Sequence, residues 1–170
     1  MSRSMLAIAL CLASSVALAA PSRTAVLEQL AGFETGPDAA ALQALGPGAD
    51  DTLRNIAVDA TLSETTRMQA VHALRVFPTE PNRSFLTATL TGSDHRLARK
   101  AAWALAQGWG DQALPELSEA LRAPDTQLRI ATVEALGELG TEGATTALRA
   151  RLPDESNSTV VASINQALSR

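Results

Sequence analysis

"LRIATVEALGEL", residues Leu128–Leu139, decides the fold of this chain, because two other stretches repeat it in register. "LARKAAWALAQG", Leu97–Gly108, and "TRMQAVHALRVF", Thr66–Phe77, carry an Ala-Leu pair at the same point, so the pairs fall at 73-74, 104-105 and 135-136 with a spacing of 31 residues. The register extends upstream to Ala44-Leu45 and downstream to Ala167-Leu168, at spacings of 29 and 32. A period of this length marks a repeat architecture, in which each unit buries its apolar face against the next.

A second series lies between these anchors: Leu30, Ala60, Leu90, Leu121 and Leu152. Four residues before each stand Val26, Ile56, Leu86, Leu117 and Leu148, so every copy has an apolar pair on one helical face. Punctuation at Gly46-Pro47-Gly48, Pro78 with Pro81, Thr91-Gly92, Gly108 with Gly110, Pro124, Gly140 and Pro153 excludes one unbroken helix. Each repeat therefore reads as two helices. Eleven residues before the second-helix anchors stand Ser63, Asp94, Asp125 and Asn157, whose side chains can accept from a free first-turn amide. In the first copy Glu34 holds that place, and Thr35-Gly36-Pro37 is expected to start the helix instead.

The pattern resembles the short HEAT-like repeats found in bilin lyases of the phycobilisome family. Leu128-Arg129, Ala131, Ala135-Leu136, Gly137, Gly140, Ala144, Leu148 and Leu152 carry the match, and the preceding copy carries it less completely. The resemblance runs from Ser22 to Arg170 and implies an all-α, right-handed two-layer α-solenoid of about five HEAT-like helical hairpins. They are expected at about 22–46, 49–77, 80–108, 111–139 and 141–170, as a single domain over 20–170. The resemblance also implies that the second helices line a concave side. It transfers no catalytic residue, because one scaffold hosts many tasks.

Composition agrees with helices. Of the 170 residues 46% are hydrophobic but only 3% aromatic, with no Tyr, so the apolar mass is Ala, Leu and Val. Small and straight-chain residues of this kind suit close helix packing better than a β-sandwich. A chain of this length can bury roughly two-thirds of its surface without disulfides or metals.

The first twenty residues, MSRSMLAIALCLASSVALAA, place Arg3 before an uncharged apolar run that ends in Ala17-Leu18-Ala19. That order is a secretory signal peptide over 1–19, with cleavage expected after Ala19 and delivery to the periplasm or the medium. Cys11 sits in the apolar run behind Leu10, where a lipoprotein signal would have a small residue. The exported chain then holds no cysteine, so packing alone must stabilise it in an oxidising compartment. The run is too short for a spanning helix, so no membrane insertion is expected once it is removed.

Without Arg3, 13 basic residues face 18 acidic ones, for a formal charge of −5. A mildly acidic surface argues against nucleic acid as a partner, which would need a broad positive field. The positive residues His95, Arg96, Arg99 and Lys100 are confined to one helix.

With core positions eight, four, one and zero residues before each second-helix anchor, the open strip falls at six and two before it and one after. In the middle three repeats the first two positions are Met68 and His72, Arg99 and Trp103, Ile130 and Glu134. Tryptophan offers an apolar face with a polar N–H and commonly anchors interfaces. Arg99 stands one turn before Trp103, where its guanidinium can lie over the indole. Two placements stay open for Trp103: on the strip, or folded over neighbouring alanines. Trp109, in the turn that follows, is expected to plug the space between repeats. Arg67 and Arg129, seven before their anchors, are expected to bond nearby Asp side chains or loop carbonyls.

No catalytic constellation emerges, and no cofactor or metal is expected. His72 and His95 are the only histidines, and His72 and Glu134 would lie roughly 20 Å apart, two helix spacings of ~10 Å, too far to share an ion. Neither a nucleophile setting nor a Gly-rich phosphate loop is present. The acidic pairs Asp50-Asp51 and Asp154-Glu155 are explained by helix starts, where negative charge is favoured. The sequence thus points to a non-enzymatic scaffold that binds a protein or peptide. The alternatives are a lyase-like ligand-binding accessory, or a structural component of an envelope assembly.

Overall fold

A computed structural model describes residues 20–31 and 38–170. The signal-peptide segment 1–19 and Thr35-Gly36-Pro37 lie outside the described residues. Among the described residues the chain forms ten α-helices and no strand. In chain order they are α1 (Arg23–Leu30), α2 (Ala39–Ala44), α3 (Ala49–Val58), α4 (Glu64–Ala73) and α5 (Glu80–Leu90). There follow α6 (His95–Trp109), α7 (Leu114–Ala120), α8 (Thr126–Leu139), α9 (Glu142–Arg151) and α10 (Ser158–Leu168). The architecture is an α-solenoid: α4 packs on α6, α6 on α8 and α8 on α10, while α3 touches α5 and α7 touches α9.

The expected caps start the second helices. Ser63 accepts from Thr66 N at 3.1 Å, Asp94 from the amides of Arg96 and Leu97, Asp125 from Leu128 N at 2.7 Å, and Asn157 from Thr159 and Val160. Each such cap is worth about 1 kcal/mol. In the first copy the cap is Asp38, which accepts from Ala40 N at 2.9 Å. At the other end of α8, Gly140 adopts φ 62, a left-handed conformation that closes the helix and that other residues reach only with strain.

The anchors form one continuous apolar cluster from Val26 to Ile164, with Leu74, Leu105 and Leu136 fully buried. Helix α6 is buried on most of its circumference: Ala98, Ala101, Ala102, Ala104 and Leu105 have no exposed surface. Three neighbours press on it at once (α4, α5 and α8), and only methyl-sized side chains allow that approach. Gly108 is part of the same packing, since a Cβ there would meet the backbone of Arg75 at 3.1 Å.

The first-helix series needs one correction. Ala60 is exposed, because α3 ends at Val58 and Asp59 turns the chain by accepting from both the amide and the hydroxyl of Thr61. Leu53, Ile56 and Ala57 make the buried seam of that helix instead.

Polar side chains staple successive helix pairs together. Arg23 pairs with Asp59, Arg96 with Glu64, and Arg83 with Glu116 at 2.8 Å. Asn82, fully buried, donates to Asp50 Oδ2 and Phe77 O and accepts from Arg54. Glu155 stands before a helix start, as expected, and is also buried: its side chain is 1% exposed. Arg129 Nε lies 2.9 Å and Arg151 Nη2 2.8 Å from its carboxylate, and the amide of Asn157 donates at 2.9 Å. Burial alone would raise its pKa, but the Asn157 amide and the two guanidiniums outweigh burial and hold it below the ordinary glutamate range.

Candidate functional site

Five of the six strip residues meet in one hollow of about 310 Å³ formed by α4, α6 and α8: Met68, Arg99, Trp103, Ile130 and Glu134. Arg96, Lys100, Gln127 and Ala131 complete its lining. Helix α6 supplies the floor, α4 the Met68 wall and α8 the Ile130 wall. The indole of Trp103 is half-buried, resting on the core from one side and open to the hollow on the other. It therefore does both of the things left open for it.

Trp103 and Glu134 also line a second hollow of about 200 Å³, which continues across α8 to α10 through Glu138, Ser163, Gln166 and Arg170. The two hollows adjoin at the indole and make one groove. Its charge is divided. Arg99 and Lys100 stand at the α6 side, and neither belongs to any ion pair among the described residues. Glu134 and Glu138 stand on α8, equally unpaired.

His72 is the strip residue that the structure places elsewhere. It does not line the hollow: its ring lies half-buried against the last turns of α6, with Nε2 3.1 Å from Gln107 Oε1 and Nδ1 3.4 Å from Arg75 Nη1. On the last turn of α4 the ring faces the end of α6, where Gln107 bonds it. Burial first, and the neighbouring Arg75 charge second, lower the pKa of His72 to about 4. The imidazole is therefore neutral at physiological pH and serves as a packing and hydrogen-bonding group between helix pairs.

The third strip position is also displaced. Ala106, one after the anchor Leu105, is buried, whereas His95, Arg96, Lys100 and Gln107 are the exposed residues of α6. The strip is rotated toward the positions nine and five before the anchor. Lys100 and Arg96 were within reach of sequence reasoning, since they share a helix face at i, i+4 with the only lysine of the chain. Trp109, at the end of α6, packs half-buried on the core. Arg67 reaches Asp94 at 3.5 Å, and Arg129 donates to the carbonyls of Ala123 and Pro124 as well as to Glu155.

The groove combines an aromatic anchor, aliphatic walls and unpaired charges of both signs. Among the described residues no group of three His, Cys, Asp or Glu side chains is arranged to hold a metal ion, and no helix is long and apolar enough to cross a membrane.

Comparison with known families agrees with the repeat. A family model described as HEAT repeats matches residues 82–169, more than half of the chain. HEAT repeats commonly act as protein-interaction modules, and proteins built from them are typically non-catalytic scaffolds. Among curated proteins, none matches the chain. The repeat period, the ten paired helices and the family match together establish that this chain belongs to the HEAT-repeat family.

Proposed function

We propose that this is an exported HEAT-repeat protein that holds a protein or peptide partner in the groove of α4, α6 and α8 and performs no chemistry itself. In this reading the helix pairs wind as a right-handed, two-layer solenoid whose concave side carries the groove. Residues 1–19 direct export to the periplasm or the medium and are removed after Ala19, leaving 20–170 as one domain.

The observation that carries the reading is the half-buried Trp103 flanked by Met68 and Ile130, with Arg99 and Lys100 left without protein partners beside it. Interfaces draw most of their energy from a few such anchors set in a water-excluding surround. The groove's small volume favours a single side chain or a short extended segment over a large folded surface. Crosslinking of the protein in its native envelope tests the proposal. A partner should be captured by the wild-type protein and lost from Trp103→Ala; an unchanged set of partners removes the site.

A further inference from the structure

A separate cleft of about 390 Å³ opens on the loop edge between the α5–α6 and α7–α8 pairs. Its wall is Leu90, Ala120, Ala123, Pro124 and Leu128, and Glu116, Glu119, Asp125, His95 and Arg122 stand around its mouth. The repeat itself shows what such a place holds elsewhere in the molecule. At the next junction the equivalent repeat positions carry Arg129, Arg151 and Glu155, bonded to one another.

The correspondence can be followed residue by residue. Arg129 lies seven before the anchor Leu136, and seven before Leu105 stands Ala98. Arg151 and Glu155 lie one before and three after Leu152, and the same places around Leu121 are held by Ala120 and Pro124. Two guanidiniums and a carboxylate are thus replaced by two alanines and a proline. Ala120 and Pro124 line the cleft that results. At that next junction, the Arg129 guanidinium donates to Ala123 O at 2.8 Å and Pro124 O at 3.1 Å. The residues equivalent to these two are Gly92 and Ser93, and Gly92 lines the cleft.

Carboxylates are present to complete the set. Glu116 gives one oxygen to Arg83, while its other oxygen, Oε2, is buried with no partner. Glu119 belongs to no ion pair among the described residues.

We propose that this cleft binds a guanidinium group, supplied by a ligand in place of the arginine that Ala120 omits. A guanidinium is favoured over an ammonium because its planar fork can reach loop carbonyls and a carboxylate at once, as Arg129 does one repeat further on. The aliphatic wall accommodates the methylene stem of such a ligand, and the volume is within the range of small-molecule sites.

The test uses the purified protein, ¹⁵N-labelled, titrated with agmatine, with n-butylamine and with the blocked peptide acetyl-Gly-Arg-Gly-amide. Agmatine or the peptide should give saturable amide shifts confined to Gly92, Ser93, Glu119 and Ala123, with n-butylamine at least tenfold weaker. A peptide tenfold tighter than agmatine assigns the guanidinium to a partner's arginine side chain; agmatine equal or tighter assigns it to a free small molecule. Ala120→Arg should abolish the shifts by filling the cleft with the protein's own guanidinium. Glu119→Gln, a surface change that leaves the fold intact, should weaken binding at least threefold. Absence of saturable shifts at these residues overturns the proposal, and so does equal binding of n-butylamine.

Discussion

Replacing Glu155 by Ala should be the most damaging single change outside the apolar core. The carboxylate accepts from Arg129 Nε at 2.9 Å and Nη2 at 3.3 Å, from Arg151 Nη2 at 2.8 Å and from the Asn157 amide at 2.9 Å. Its removal leaves two guanidiniums facing one another, with side chains only 11% and 13% exposed. Breaking a buried pair by deleting one partner typically costs about 3–5 kcal/mol. Here Arg129 keeps the carbonyls of Ala123 and Pro124, and Arg151 keeps Leu121 O at 2.9 Å, so the low end applies, about 3 kcal/mol. At this chain length that corresponds to a fall in Tm of about 6–12 °C. Because repeat proteins can open from an end, thermal unfolding by circular dichroism should be paired with hydrogen exchange, which should show loss of protection first in α9 and α10. Glu155→Gln, which keeps the shape and one acceptor, should cost clearly less than Glu155→Ala. A loss below 1 kcal/mol for Glu155→Ala, with unchanged protection of α9 and α10, would refute the argument that this buried carboxylate ties the fourth helix pair to the fifth.

Three further outcomes follow from the same geometry. His72 should titrate with a midpoint near 4 by NMR of its ring protons; its stabilising effect is complete above pH 6.5, and it declines as the pH falls from there toward 4, because the unfolded chain protonates first. A midpoint near 6.5 would mean the ring is not buried beneath Gln107. Gly108→Ala should destabilise by about 1 kcal/mol despite the better helix propensity of alanine, because the added Cβ meets Arg75 backbone that cannot turn aside; a gain in stability in urea unfolding would contradict that packing. Asp125→Ala should cost about 1 kcal/mol through loss of the bond to Leu128 N, and Asp125→Asn should restore most of it in the same assay.

Much of the architecture was legible because repetition turns weak local signals into a strong common one. Any one Ala-Leu pair means little, but five in register, four of them with a cap eleven residues upstream, locate the helices and the faces they bury. Legibility ended where a residue departs from its own repeat. Ala60 satisfied the period yet lies beyond the end of α3, since Asp59 captures Thr61 and stops the helix before it. Glu155 read as an acid near a helix start, and only the three-dimensional approach of Arg129 across 26 residues shows that it is also buried.

For the candidate site, helical phase alone brought Met68, Arg99, Trp103, Ile130 and Glu134 together correctly. It missed Lys100, which lies five before its anchor and is exposed on α6, and included His72, whose ring bonds Gln107 at the end of α6 and does not line the hollow. It also had no means of finding the cleft beside Ala120, since an omission becomes visible only when neighbouring junctions can be compared in space.

The central claim, that the groove around Trp103 receives a partner, is tested most directly by placing a photo-crosslinking amino acid at Gln127 inside the groove and, separately, at Thr146 on the exposed surface of α9. Irradiation in intact native cells should yield a discrete adduct from position 127 that disappears with Trp103→Ala, and none from position 146. Adducts that are the same from both positions, or that persist unchanged without the indole, would contradict the account.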